Sequence, residues 1–174
     1  MTTWFTSDLH LGHANIIKHC NRPFEDVNHM DKVIIDNWNS CVKTDDIVYH
    51  VGDFCFRTPE KYISRLNGKI VFIRGSHDKI IEKLLEKNSI VIIKPLNDEY
   101  GNLRPIVMCH YVMRSWSMSH YASWHLYGHH HGNLEPYGLS FDIGVDCWNY
   151  YPLSLEEVAN NMKQLSPIVD FRKA

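Results

Sequence analysis

An α/β domain with largely buried strands is the fold class this sequence predicts, on three observations. Short β-branched or aromatic runs alternate with amphipathic stretches along the chain. The 174 residues, 44% hydrophobic and 22% charged, suit one domain with a single core, residues 1–174. No internal repeat, low-complexity tract or Pro/Gly/Ser-rich linker divides the chain.

The elements follow in order. A strand is expected over Thr3 to Ser7. Met30, Val33, Ile34, Trp38 and Cys41 recur at helical spacing behind Asn28 as N-cap. Ile47 to Val51 reads as the next strand. Thr58-Pro59 places a cap before proline at the first position of a helix. Ile70 to Ile73 is a strand, and Ile80, Ile81, Leu84 and Leu85 mark one face of a helix from His77 to Glu86. Ile90 to Ile93, Ile106 to Cys109 and Trp124 to Tyr127 are further strands. Pro136 to Val145 reads as more strand with a turn at Tyr137-Gly138. Ser154 and Glu157 form a capping box for the last helix.

Several function classes are disfavoured. Eighteen basic and twenty acidic side chains give a net charge of -2, so there is no electrostatic footprint for tight binding of duplex nucleic acid. No apolar run reaches the ~18–20 residues of a membrane span, and Met1 leads straight to Trp4-Phe5 without a signal-peptide pattern. Cys20, Cys41, Cys55, Cys109 and Cys147 include no C-x-x-C pair and read as reduced packing residues, the expectation for a cytoplasmic protein. Twelve histidines are the surplus that needs explaining.

Most of that surplus falls at strand ends. Asp8-Leu9-His10 follows the first strand, Gly52-Asp53 the second and Gly75-Ser76-His77-Asp78 the third. His110 follows Ile106 to Cys109, and Gly128-His129-His130-His131 follows Trp124 to Tyr127. The carboxyl edge of an open α/β sheet is where ligands bind. On an extended segment residues i and i+2 share a side, pairing Asp8 with His10 and His129 with His131. Carboxylate with imidazole suits Mn, Fe or Zn better than calcium, and five clusters suggest two metals with one bridging carboxylate. Taken singly, a histidine after a strand is usually a hydrogen-bonded loop residue, and Asp8 or Asp53 a helix cap; five such clusters at equivalent strand ends are the signal. His19, His29, His50, His120 and His125 read as surface or packing residues, and Trp38, Trp116, Trp124 and Trp148 as core.

The order D-x-H, G-D, G-N-H-D/E, H and G-H-x-H resembles the calcineurin-like metallophosphoesterases, in particular the compact members without a capping domain. The resemblance spans Asp8 to His131. It implies a four-layer α/β sandwich of two mixed β-sheets flanked by helices, and two divalent ions. It would give Asp8, His10 and His131 to the first ion, Asp53 to both, and His110 and His129 to the second. Where the family has an asparagine contributing a side-chain carbonyl, this chain has Ser76. The second ion is therefore expected to be loosely held, completed by water or absent.

The activity this implies is metal-dependent hydrolysis of phosphomono- or phosphodiesters of a small, nucleotide-like substrate, with Mn as the expected ion and Fe, Zn or Ni as alternatives. His77, between a strand and a helix start, is the candidate acid, with Asp78 either orienting it or serving as an ordinary first-turn acidic residue. His13, Arg22 and Arg74 are candidates for contacting phosphate. Two competing readings are a non-catalytic binding scaffold on the same fold, like a retromer subunit, and a nuclease of the same superfamily.

Overall fold

The computed structural model describes residues 1–97 and 103–168. Within them the chain forms two mixed β-sheets flanked by helices, the architecture expected from the sequence. The first sheet contains β1 (Thr3–Thr6), β2 (Ile47–Val51), β3 (Lys69–Ile73) and β8 (Leu153–Ser154), in the order β3-β2-β1-β8. Its first three strands are parallel and β8 runs antiparallel to β1. The second sheet contains β4 (Ile90–Asn97), β5 (Leu103–Cys109), β6 (Trp124–Tyr127) and β7 (Ser140–Asp142), in sequence order. Here β4 and β5 are antiparallel, and β5, β6 and β7 parallel.

Two clusters of core residues, in place of the single core expected, follow from the strand alternation. Trp4 and Val48 face the helices α1 (Ala14–His19), α2 (Val27–Cys41) and α3 (Pro59–Ile63), where Met30, Ile34 and Trp38 are buried. Phe5 and Val51 face the other way and pack with Ile106, Met108 and Leu126 of the second sheet. The last helix, α4 (Leu155–Met162), adds Val158 and Met162 to this inter-sheet core. Its Ser154–Glu157 capping box is present as expected.

Register places the site. Thr3 lies opposite Ile47 and Ile47 opposite Lys69, so Asp8, Asp53 and Gly75 leave the first sheet side by side. Met108 lies opposite Leu126, so His110 and Gly128 leave the second sheet together. A parallel bridge between Ser7 and Gly144 joins the two groups of strand ends.

The structure corrects three expectations and adds one strand. The N-cap of α2 is Asp26, whose carboxylate accepts the His29 N–H at 2.8 Å; Asn28 lies inside the first turn. The segment after β3 is a seven-residue 3-10 helix, Asp78–Leu84, kinked at Ile81. The break at Ile81 interrupts the expected face, so Ile81 is buried while Ile80 and Leu84 are exposed. The stretch from Pro136 to Val145 contributes only β7. Finally, Leu153–Ser154 pairs with β1, too short a strand to show a period in sequence.

Candidate metal centre

Beyond the strands, the loops keep pairing. The Asp8, His10 and Leu11 N–H groups donate to the carbonyls of Gly52, Asp53 and Phe54, each at 3.0 Å. The ligand segments are not extended, however. Asp8, His10, Asp53, His129 and His131 all have left-handed backbone, with φ from 49° to 73°. For residues other than glycine this costs about 1–2 kcal/mol each, a strain that clusters where function demands it. Alternation of left-handed residues with ordinary ones still turns Asp8 and His10 to one side while Leu9 points into the core. The expected pairing of Asp8 with His10 is present, by a different geometry, whereas His129 and His131 fall in separate groups of donors.

Two glycines let these loops meet. The Gly75 Cα approaches Gly52, and a Cβ at Gly75 would collide with the Asp53 N–H and carboxylate. A Cβ at Gly128 would collide with Ser7 Oγ and Asp8 Oδ2.

Ligand atoms converge in two groups. In the first, His10 Nε2 lies 3.8 Å and His131 Nε2 4.0 Å from Asp8 Oδ1. In the second, Asp53 gathers with His110 and His129. Asp53 Oδ2, a member of the second group, also lies beside the first, 3.5 Å from His110 Nε2 and 3.6 Å from His10 Nε2. Two donors each about 2.1 Å from one ion lie at most ~4.2 Å apart, so these spacings accommodate a cation in each group. Ser76 Oγ faces the second group, 3.4 Å from His110 Nε2, 3.5 Å from His129 Nδ1 and 2.9 Å from the Tyr111 hydroxyl.

The polar bookkeeping fits a cation. Asp8 Oδ1 and both His10 ring nitrogens are buried without a hydrogen-bond partner, which is costly unless something else satisfies them. Burial works against ionising Asp8, yet the His10 ring 3.8 Å away and the charges of His110 and His131 hold its carboxyl far below the usual range. Burial likewise opposes ionisation of Asp53, and His110 pulls its carboxyl down. In turn burial opposes the charge on His110, but Asp53 and Asp8 push the imidazole up to about 9. His129 moves down, through burial and the neighbouring His110. A field that holds a proton on His110 is one a divalent cation can exploit.

Other residues expected at the site take varied places. His77 is exposed, its ring 5.9 Å from His10 and its N–H donating to Asp53 Oδ1 at 2.8 Å. Asp78 is buried and accepts from the N–H groups of Asp53, Phe54 and Gly75 at 2.8–2.9 Å. Its carboxylate therefore shapes the loops under the site instead of orienting the His77 ring. The 3-10 helix after His77 is too short and kinked for the helix-end field expected there. His13 stacks on Phe56 at 3.8 Å, and burial together with His10 and His77 holds it neutral, with a pKa of about 4. Arg74 pairs with Glu82 on the surface.

Arg22 corrects the expectation of a phosphate contact. It is buried, and its fork donates to both oxygens of Asp146, to the carbonyls of Asp8 and Leu9 and towards Met30 Sδ. No donor is left for a substrate. Asp146, not singled out in sequence, also accepts from His131 Nδ1 at 2.7 Å. The sequence does carry a signal for it: Asp146 follows β7 as carboxylates follow β1 and β2. Cys20 lies beside His131 and Asp146, but burial pushes its thiol up to about 11, so it presents no thiolate. His50 and His125 are buried packing residues as expected. Among the described residues no helix is long and apolar enough to cross a membrane.

Fold and site together define an α/β protein with a candidate two-cation centre at the shared edge of two mixed sheets. The chain belongs to the family of the uncharacterized protein MJ1445 of Methanocaldococcus jannaschii, to which it is 38% identical over 165 residues, 88% of this chain and 86% of that one. The Gene 66 protein of Mycobacterium phage L5 is 26% identical over 181 residues, 84% of this chain and 87% of its own. Among solved structures, the protein of unknown function AQ665 from Aquifex aeolicus superposes with a TM-score of 0.69 at 21% identity, covering 92% of this chain and 98% of that one. That likeness establishes the shared fold. No protein-family model matches the sequence.

Proposed function

We propose that this protein is a metal-dependent phosphoesterase of the calcineurin-like class, hydrolysing phosphomono- or phosphodiesters of a small, nucleotide-like substrate. The observation that carries this reading is the position of Asp53 Oδ2, a buried carboxylate oxygen lying between His10 of one donor group and His110 of the other. Asp8, His10 and His131 would hold one divalent ion, His110 and His129 the other, with Asp53 between them and Ser76 beside the second. Mixed oxygen and nitrogen donors favour Mn, with Fe, Zn or Ni as alternatives. The chemistry such a pair supplies is an acidified water and a neutralised, clamped phosphoryl group.

The remaining work falls to the chain. His77, exposed beside His10, is placed to hand a proton to the departing oxygen. Its N–H holds the Asp53 carboxylate in register. Neutral His13 and the exposed Phe56 ring form an aromatic wall next to His77, against which the organic part of a substrate can lie. The net charge of -2 fits a small phosphoester in place of a duplex nucleic acid. Hydrolysis of bis-p-nitrophenyl phosphate tests the reading: chelation should abolish it and Mn restore it. Full activity in excess chelator would refute a metal mechanism. Tight Mn binding without turnover on any phosphoester would favour the scaffold reading.

A further inference from the structure

We infer that Arg22 and Asp146 are positioning residues that set the first cation site, one buried guanidinium tying together all three of its ligands. This rests on reading Asp8, His10 and His131 as ligands of that site.

The geometry is specific. Asp146 Oδ2 accepts from His131 Nδ1 at 2.7 Å. A ring that donates from Nδ1 presents the lone pair of Nε2 on its far side, and that side faces Asp8 Oδ1. The same carboxylate takes both arms of the Arg22 fork, Nε to Oδ1 and Nη2 to Oδ2, each at 2.7 Å. The other face of the guanidinium reaches the first strand's exit loop. Nη2 donates to the Asp8 carbonyl at 2.8 Å and Nη1 to the Leu9 carbonyl at 3.0 Å. Those carbonyls flank the left-handed turns at Asp8 and His10, so the residue that orients His131 through Asp146 also pins the strained backbone carrying the other two ligands.

Burial makes the arrangement costly unless it is complete. The Arg22 side chain has no exposed area and Asp146 only 8%. A buried guanidinium needs its charge paired and its donors satisfied, and all five are directed at protein acceptors. Lysine cannot replace it, because a single ammonium cannot grip a carboxylate and two carbonyls in fork geometry. Hydrogen bonding of a ligand histidine to a carboxylate fixes its tautomer and strengthens it as a donor, and removing the partner typically costs ~10–100-fold in metal affinity. Among the described residues the second site has no counterpart: His110 Nδ1 bonds the neutral Val51 carbonyl.

The test is a calorimetric Mn titration of the chelator-stripped full chain, wild type against Asp146→Asn and Arg22→Lys. Both variants should weaken one class of site by about 10–100-fold and leave the other unchanged. Wild-type affinity at both sites in the variants would overturn the inference, as would equal loss at both. Absence of Mn binding by the wild type would instead refute the ligand reading on which it rests. A second measurement needs no variant. In the zinc-loaded wild type, 15N–1H spectra should show a protected proton on His131 Nδ1. A proton on Nε2 would overturn the inference even if both variants fail to fold.

Discussion

Asp8, His10 and His131 are tied to a buried charged network through Arg22 and Asp146, whereas Asp53 and His110 rest mainly on main-chain groups and His129 donates its N–H to Asp8 Oδ2 at 2.9 Å. Asp53 takes the His77 N–H, its own loop hangs on the Asp78 carboxylate, and His110 leans on a backbone carbonyl. His129 is exposed and Ser76 stands partly open to solvent beside it. Charged networks in the interior hold only one arrangement, since any missing partner leaves a buried charge unpaired. Neutral contacts at an open rim tolerate movement at lower cost. The first site is therefore the anchored half of the centre and the second the adaptable half.

The largest expected effect breaks both halves at once. Asp53→Asn removes the carboxylate charge they share, so at least one site should empty and turnover should vanish. A Mn titration of the variant checks this, and two intact sites with normal activity would remove the bridging role. Asp78→Asn offers a contrast, because that side chain touches only loop amides.

His77→Ala comes next and separates chemistry from binding. His77 lies outside both donor groups, so metal content should hold while kcat falls by ~10²–10⁴-fold, the range of a general acid. Release of metal without that loss of rate would place His77 among the ligands instead.

Much of the site is legible in the sequence because it repeats: a short apolar strand, then a carboxylate or histidine at its exit. That pattern marks Asp8, His10, Asp53, His77, Asp78, His110, His129, His130 and His131 alike and does not by itself separate ligands from their neighbours. What it misses is non-local. Arg22 meets Asp146 across 124 positions, and no local period or spacing marks Arg22 or joins it to that partner. An arginine flanked by loop residues looks the same whether its fork faces phosphate or a buried carboxylate. Asp78 illustrates a second limit, since an acidic first-turn residue and a loop brace share one sequence signature. The 3-10 helix at Asp78–Leu84 is a third: its composition is helical, and nothing local marks its winding or the break at Ile81.

Protons sharpen the comparison further. In the metal-free protein Asp53 and Asp8 hold the His110 proton up to about 9, against the opposing effect of burial. Because that folded-state value lies above the unfolded one of about 6.5, the proton's contribution to stability is fully present below pH 6.5. It is lost as pH rises through 9. A cation entering the second site must displace this proton, so its affinity should fall about tenfold per unit as pH drops from 9 towards 7. Calorimetry at pH 7, 8 and 9 measures the slope. A pH-independent affinity would mean that no proton leaves.

The smallest expected effect concerns Ser76, on the adaptable side. Its hydroxyl already lies within 3.4–3.5 Å of nitrogens on His110 and His129, and it is hydrogen-bonded to Tyr111. Ser76→Asn would place a carboxamide oxygen farther from the backbone and closer to those nitrogens, a stronger neutral donor than a hydroxyl. Because the serine oxygen is already in the donor set, the gain should be modest, about tenfold in Mn affinity at the second site, the lower end of what even an indirect partner gives. Position 76 is partly open to solvent, so the extra atoms meet little packing resistance, and stability should rise only when Mn is bound. The first site should not change, because its three ligands are fastened elsewhere. Equal tightening of both sites would show that the halves are coupled through Asp53 more strongly than their separate supports suggest. No tightening at either would show that the Ser76–Tyr111 pair already supplies all that the asparagine could.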